Sequence, residues 1–396
     1  MTKLTSDTPF ANADGAAEHS EFLFRSGTRC LRGQGIFAAI TTPAAGGDQP
    51  GSALHAAVSQ AFANAHAAGI EQPVLIGAIP FDTTQPSCLY VPRRHRWIDG
   101  EPARSEADNG GAAPVVISQR SVPDEAGFKA AVGQAIANFR SSTIRKAVLS
   151  RMLEVQLDQP VKVEQVLARL AAQNPNGYHF RIPLAEKGEL IGVSPELLVR
   201  KRGGRVYSNP LAGSAKRRAN PEEDRHTADA LLDSEKDHYE HRLVVEEIRR
   251  VLAPECSSLA IPEQPSLLST AAMWHLSTAI EGELADPRRS SLQLACQLHP
   301  TPAVCGAPTD LARKLINLVE PFERGLFTGM VGWCDAAGNG EWVVTIRCGT
   351  VVENTLRLFA GAGIVEASEP AAEWAETQAK LGTMLAACGL NAEDQR

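Results

Sequence analysis

Three apolar runs broken by two turns lie near the end of this 396-residue chain, and they call for paired strands. The runs are Gly329–Cys334, Glu341–Cys348 and Thr355–Val365. The connections are the Gly/Asn-rich segment from Asp335 to Gly340 and the corner at Glu353 and Asn354. This pattern predicts a three-stranded antiparallel meander. A second hairpin signal lies upstream. Leu190–Val193 and Leu197–Lys201 are strand-like, and the turn at Gly203 and Gly204 leads into Arg205–Ser208. Gln72–Phe81 reads as a further, buried strand.

Helical patterns separate these strands. Leu54–Ala68 has helical apolar spacing. Glu222–Leu252 predicts one long amphipathic helix, with Leu231, Leu232, Leu243, Val244, Ile248 and Val251 spaced three or four apart within each cluster. Pro370–Leu385 carries Trp374, Leu381 and Leu385 on one stripe. Hairpin strands with helices outside them indicate the α+β class, with large antiparallel sheets. Length alone suggests two or three domains, but no linker is evident. The expectation is therefore a single catalytic domain over residues 21–396, preceded by a loose tail over residues 1–20. Thr41–Ser52 and Asp99–Pro114 read as surface loops.

Composition closes several alternatives. No run of about 18 apolar residues is present, so no membrane-spanning helix is expected. Met1–Ser20 lacks the basic and apolar regions of a signal peptide, which points to the cytoplasm. The eight cysteines form no CxxC pair and read as buried small hydrophobes. The ten histidines show no zinc spacing. A formal net charge of −7 argues against nucleic acid or an anionic membrane as partner. It leaves room for a small anionic ligand met by a few placed cations or a metal.

Four local patterns can carry chemistry. Glu373, Glu376 and Lys380 share one side of the last helix, where spacings of three and four bring them together. Taken alone, an ordinary solvated ion pair is the usual explanation of such a pattern. The preceding run from Phe359 to Val365 ends in Gly361 and Gly363, which let backbone approach a ligand. Glu240 lies four residues before Val244, at the edge of an apolar helix face, where a charged surface is the usual outcome. Glu196 sits among Val193, Leu197 and Leu198. If buried, its carboxyl is held protonated to higher pH and can donate a proton; an exposed hairpin position is the alternative. Lys146 opens a strand at Ala147–Leu149. Such a lysine is ordinarily solvated, and a basic role needs burial or a neighbouring cation.

Taken in order, these patterns resemble the chorismate-utilising enzymes, the family of isochorismate, anthranilate, aminodeoxychorismate and salicylate synthases. The matching motifs are Lys146-Ala-Val-Leu-Ser-Arg151, Ser194-Pro-Glu-Leu-Leu198, Pro210-Leu-Ala-Gly-Ser214 and Ser234-Glu-Lys-Asp-His-Tyr-Glu-His241. They continue with His299-Pro-Thr-Pro-Ala303, Gly340-Glu-Trp-Val-Val-Thr-Ile-Arg347, Ala360-Gly-Ala-Gly-Ile364 and Glu373-Trp-Ala-Glu-Thr377 with Lys380. Gly69–Pro92 is similar to the isochorismate-forming members of catecholate siderophore (2,3-dihydroxybenzoate, enterobactin-type) pathways.

The resemblance implies two large antiparallel sheets packed as a sandwich, helices outside, and a site in the cleft. It implies Mg²⁺ held by Glu240 and Glu376, with Glu373 as a further carboxylate acting through water. Arg347 and Lys380 are implied to hold the carboxylates of chorismate, assisted by backbone amides of Gly213, Ser214 and Gly361. Ala303 is implied to line the ring pocket. His275 is implied to neighbour the reacting ring, although a buried hydrogen-bonded histidine is an equal reading. Lys146 is implied to be the general base and Glu196 the general acid.

Three positions bear on which reaction is run. Amine-adding members of the family carry Gln where Lys146 stands. Aminodeoxychorismate synthases carry a nucleophilic lysine where Ala212 stands. No glutamine-amidotransferase segment is evident, and no such subunit is expected. The expectation is isochorismate formation by a monomer, with salicylate synthase and a menaquinone-pathway isochorismate synthase as rivals. A silent paralogue that binds chorismate without turning it over is disfavoured, because Lys146, Glu196 and the metal carboxylates are all present.

Overall fold

Every residue of the strand Val74–Ile79 is buried, so both faces of its sheet must be covered. The computed structural model describes residues 18–100 and 114–390 and shows how. Val74, Ile76 and Ala78 point into one apolar cluster, while Leu75 and Ile79 point into another. The first cluster is the space between two sheet layers. The second lies under helices.

One antiparallel ladder makes both layers. It starts at Cys256–Ala260 and passes through Ile280–Leu284, Arg205–Asn209, Leu197–Arg202, Gly340–Val344, Met330–Asp335, Val74–Ile79 and Cys88–Asp99 to Arg29–Ile40. There the hairpin with Glu21–Ser26 folds it over. The second layer continues through Tyr178–Pro183, Glu189–Ser194, Cys348–Val352 and Thr355–Ile364 to Lys146–Leu157 and Val116–Val122. Phe180, Ile182 and Phe359 from the second layer meet Ile76, Val331, Trp333 and Val343 from the first. The result is the expected α+β sandwich of large antiparallel sheets.

Helices sit outside. Ala53–Ala67, Glu235–Leu252 and Ser291–Leu298 cover the outer face of the first layer. Val163–Gln173 and Pro370–Ala387 cover the second. Glu125–Ser141 and Thr309–Val319 pack over its Lys146 end. A small separate sheet of Leu211–Lys216, Met273–Ser277 and Ser266–Ser269 stands beside the sandwich. Among the described residues no helix is long and apolar enough to cross a membrane. All eight cysteines are free, six of them buried.

Two sequence expectations change. The single helix over Glu222–Leu252 is two, Pro221–Leu232 and Glu235–Leu252. Ser234 breaks it because its hydroxyl accepts from the Asp237 amide and caps the second helix. The meander is also two units. Gly340–Val344 pairs with Leu197–Arg202 in the first layer, whereas Cys348–Val352 pairs with Glu189–Ser194 in the second. Arg347, at φ 49°, turns the chain between them. The predicted loop Thr41–Ser52 is present as bends and turns. Most of the other predicted loop, Asp99–Pro114, and of the tail, 1–20, lies outside the described residues.

A buried ion pair supports the strand that Lys146 opens. Arg324 and Glu320 have side chains 3% and 4% exposed. Arg324 donates to the carbonyls of Val148 (2.7 Å) and Val304 (2.8 Å), and Glu320 accepts from the Ser150 amide at 2.7 Å. Arg324→Ala leaves a buried carboxylate unpaired, so roughly 3–5 kcal/mol of stability should be lost. A lower urea midpoint at unchanged slope is the expected result; a midpoint equal to wild type would show the pair to be dispensable.

Candidate active site

The inward positions of Thr355–Ile364 run Phe359, Gly361, Gly363. Aromatic filling gives way to glycine, and a cleft opens where the sandwich would otherwise be packed. On the neighbouring strand Lys146 and Val148 face this side, while Ala147 and Leu149 pack under helices. The cleft is lined by Glu196, Gly213, Ser214, Glu240, His275, Ala303, Arg347, Gly361 and Lys380, together with Ala212 and several apolar residues. Nine of the twelve residues singled out in the sequence thus border one space. Lys146 and Glu376 stand behind that wall, joined to it through ion pairs with Glu240 and Lys380, whereas Glu373 pairs with Lys236, which does not line the cleft.

Glu196 and Arg347 lie where the chain crosses between layers. The Val344 amide donates to the Glu196 carbonyl at 3.2 Å, and the Val193 amide to the Arg347 carbonyl at 3.0 Å. Burial pushes the Glu196 carboxyl up to about 7. The Leu211 amide, 3.4 Å from Oε1, and the cations Lys146, Arg347 and Lys380 offset this only in part. Burial likewise brings the Arg347 guanidinium down to about 10, against the pull of Glu376 and Glu196. Arg347 Nη2 lies 3.4 Å from His275 Nε2, and His275 Nδ1 lies 3.1 Å from Ser214 Oγ. Burial, reinforced by Arg347 and Lys380, holds His275 well below its ordinary value, so the ring is neutral. The Arg347 Nε hydrogen is buried without a partner.

Lys146 is not a solvated strand end: its side chain is 0% exposed. Its ammonium lies 3.0 Å from Glu240 Oε1, and no acceptor meets it in good hydrogen-bond geometry. Gly363 makes this approach possible. A Cβ there would fall 2.1 Å from Glu240 Oε1 and 3.1 Å from Lys146 Cε. Burial works to raise the Glu240 carboxyl, but Lys146, Lys236 and Lys380 outweigh it and leave it below its ordinary value.

Glu373 and Glu376 start the Pro370–Ala387 helix. The Glu373 side chain, 1% exposed, accepts from Lys236 Nζ at 2.8 Å. Burial and the neighbouring Glu376 push its carboxyl up to about 7, against Lys236. Glu376 pairs with Lys380, whose ammonium also donates to the Gly361 carbonyl at 2.9 Å. Three carboxylates from two helices form a hard-oxygen donor set of the kind that holds a hard divalent cation. Each is turned to a lysine, and among the described residues no three such groups are gathered closely enough to ligate one ion as they stand.

Sequence reasoning passed over Lys236 and Arg151, although both lie in quoted motifs. Lys236 precedes Glu240 by one helical turn, a spacing that the sequence displays. Arg151 stacks on Trp374 at 3.9 Å and donates to Thr377 Oγ1 at 2.9 Å, fastening the carboxylate helix to the Lys146 strand. The stacked rings of Phe327 and Phe359, 5.1 Å apart, also border the cleft and had no sequence signal.

Residues 92–389 match the family described as chorismate binding enzyme. Isochorismate synthase EntC of Escherichia coli K12 is 45% identical over 374 residues, covering 94% of this chain and 95% of that protein. Isochorismate synthase DhbC of Bacillus subtilis 168 is 43% identical over 381 residues, covering 93% of this chain and 94% of that protein. Among solved structures, the putative 2,3-dihydroxybenzoate-specific isochorismate synthase DhbC from Bacillus anthracis superposes with a TM-score of 0.87 at 43% identity. It spans 93% of this chain and 96% of its own.

The elevated Glu196 carboxyl makes stability depend on pH. A carboxyl raised from 4.5 to about 7 in the fold adds stability that is complete below 4.5 and is lost as pH rises through 7. In Glu196→Gln this loss is absent. Between about pH 5 and pH 8 the variant should therefore gain a few kcal/mol relative to wild type. Urea midpoints at the two pH values measure it, and parallel behaviour of the two proteins would remove the assignment.

Proposed function

This chain belongs to the chorismate-binding enzymes, and we infer that within the family it is an isochorismate synthase. It is an isomerase that converts chorismate to isochorismate. The observation that carries the chemistry is a buried carboxyl raised to about 7, Glu196, in the same cleft as two substrate-sized cations, Arg347 and Lys380, with buried Lys146 behind Glu240.

Chorismate is a dicarboxylate, and Arg347 and Lys380 hold its carboxylates, with backbone amides at Gly213, Ser214 and Gly361 assisting. Ala303 borders the ring, and neutral His275 offers it a polar, uncharged neighbour. Lys146 removes a proton from the water that attacks C2. The ring double bonds shift, and Glu196 protonates the hydroxyl leaving C4. Each proton transfer contributes roughly 10²–10⁴ in rate. Glu240 and Glu376, with Glu373 as a further carboxylate, would hold Mg²⁺, which would supply positive charge against the ring carboxylate. Ala212 borders the cleft, so no side-chain nucleophile occupies the position used by aminodeoxychorismate synthases.

Residues 21–396 act as one catalytic domain, monomeric, in the cytoplasm and without an amidotransferase subunit. The similarity to DhbC favours supply of a 2,3-dihydroxybenzoate siderophore pathway over the menaquinone branch. Chromatography of products formed from chorismate and Mg²⁺ should show isochorismate. Salicylate with pyruvate as the main product, or anthranilate formed with ammonia, would overturn the reading. Lys146→Ala should abolish turnover yet keep Mg²⁺-dependent chorismate binding, and full activity in that variant would remove the lysine from the mechanism. Glu240→Ala and Glu376→Ala should lose the response to Mg²⁺; an unchanged metal dependence would move the metal elsewhere.

A further inference from the structure

Each carboxylate assigned to the metal faces its own lysine. The pairs are Lys146 with Glu240, Lys380 with Glu376 and Lys236 with Glu373. Lys146 and Lys380 have work of their own, as base and as substrate cation. Lys236 has none so far. It does not border the cleft. The three lysine side chains are 0%, 11% and 31% exposed in that order, so Lys236 is the most open to solvent.

The carboxylate it meets is nearly inaccessible, with a side chain 1% exposed. An ionised group so buried is costly without a counter-charge. Lys236 also feels Glu240 and Glu376, one helical turn or one helix away, which hold its ammonium charged against the opposing effect of burial. A lysine is a compact, strongly hydrated charge on a flexible stem, and water takes it back readily. An arginine fork would grip the carboxylate with two parallel bonds and leave less easily.

We propose that Lys236 competes with the divalent cation for Glu373. Its ammonium pairs with that buried carboxylate and holds it in place, and moves out to solvent when the metal engages the carboxylate. Lys236 is then a positioning residue that sets metal affinity and touches neither substrate nor reacting atoms. This rests on the metal assignment made above.

The test is Mg²⁺ binding to the full chain, stripped of metal and without chorismate, by calorimetry at about pH 8.5. Lys236→Met should bind Mg²⁺ about tenfold more tightly than wild type, because a unit positive charge a few ångströms from a dication is removed in a partly hydrated site. Its thermal midpoint without metal should fall below wild type, and the gap should close as Mg²⁺ saturates. Lys236→Arg should bind Mg²⁺ no more tightly than wild type, and it tests the proposal alone if Lys236→Met fails to fold. Unchanged or weaker binding in Lys236→Met, or tighter binding in Lys236→Arg, overturns the competition while leaving the metal site intact. Wild-type protein that takes up no Mg²⁺ overturns the metal assignment itself, and the proposal with it.

Discussion

The chain passes twice, side by side, from one sheet layer to the other, and the cleft depends on that double crossing. One passage runs from Ser194 to Leu197, the other from Val344 to Cys348. Two backbone hydrogen bonds hold them in step, Val344 to Glu196 and Val193 to Arg347. Neither segment can complete a ladder at the crossing, so its side chains are committed to a single place with no freedom of register. That place holds Glu196 and Arg347. The left-handed backbone at Arg347 is the local cost of turning there, and a bulky residue keeps such a conformation only where its surroundings dictate it.

Charge is arranged around this point by pairing. Glu240, Glu373 and Glu376 each meet a lysine, and Arg324 meets Glu320 beneath the Lys146 strand. Removal from water makes every orphaned charge expensive, so each is paired. The departures from ordinary proton affinity follow the balance of burial and like charge against partner charge, and Glu373 rises to about 7 even beside Lys236. Glu196 meets only a backbone amide at hydrogen-bond range and rises to about 7, whereas Glu240 has Lys146 at 3.0 Å and stays low. Two carboxyls lining one cleft thereby differ in proton affinity.

Much of the fold was readable. The turns at Gly203–Gly204, Asp335–Gly340 and Glu353–Asn354 each join a paired hairpin, because Gly-rich turns and apolar runs act locally and report themselves. The two errors share a cause. Ser234 and Arg347 interrupt patterns that periodicity alone would continue: Ser234 by a side-chain cap and Arg347 by a change of layer. A cap competes quietly with a helix, and a layer crossing has no one-dimensional signature. Of the site, the acids were visible only as candidates. Glu373, Glu240 and Lys146 each fit an ordinary solvated position, and burial alone separates the two readings.

The sequence by itself determined the antiparallel strands, the helical faces and the motif order that marks the family, since these depend on neighbours a few residues apart. Tertiary structure alone decided which charges are dry. Lys146 is buried because Gly363, more than two hundred residues later in the chain, lacks the Cβ that would exclude Glu240 from its side. Lys236 became part of the site for the same reason: its partner Glu373 arrives on a different helix. Proton affinity depends on such distant pairs, because desolvation and Coulomb forces act through space and take no account of chain order.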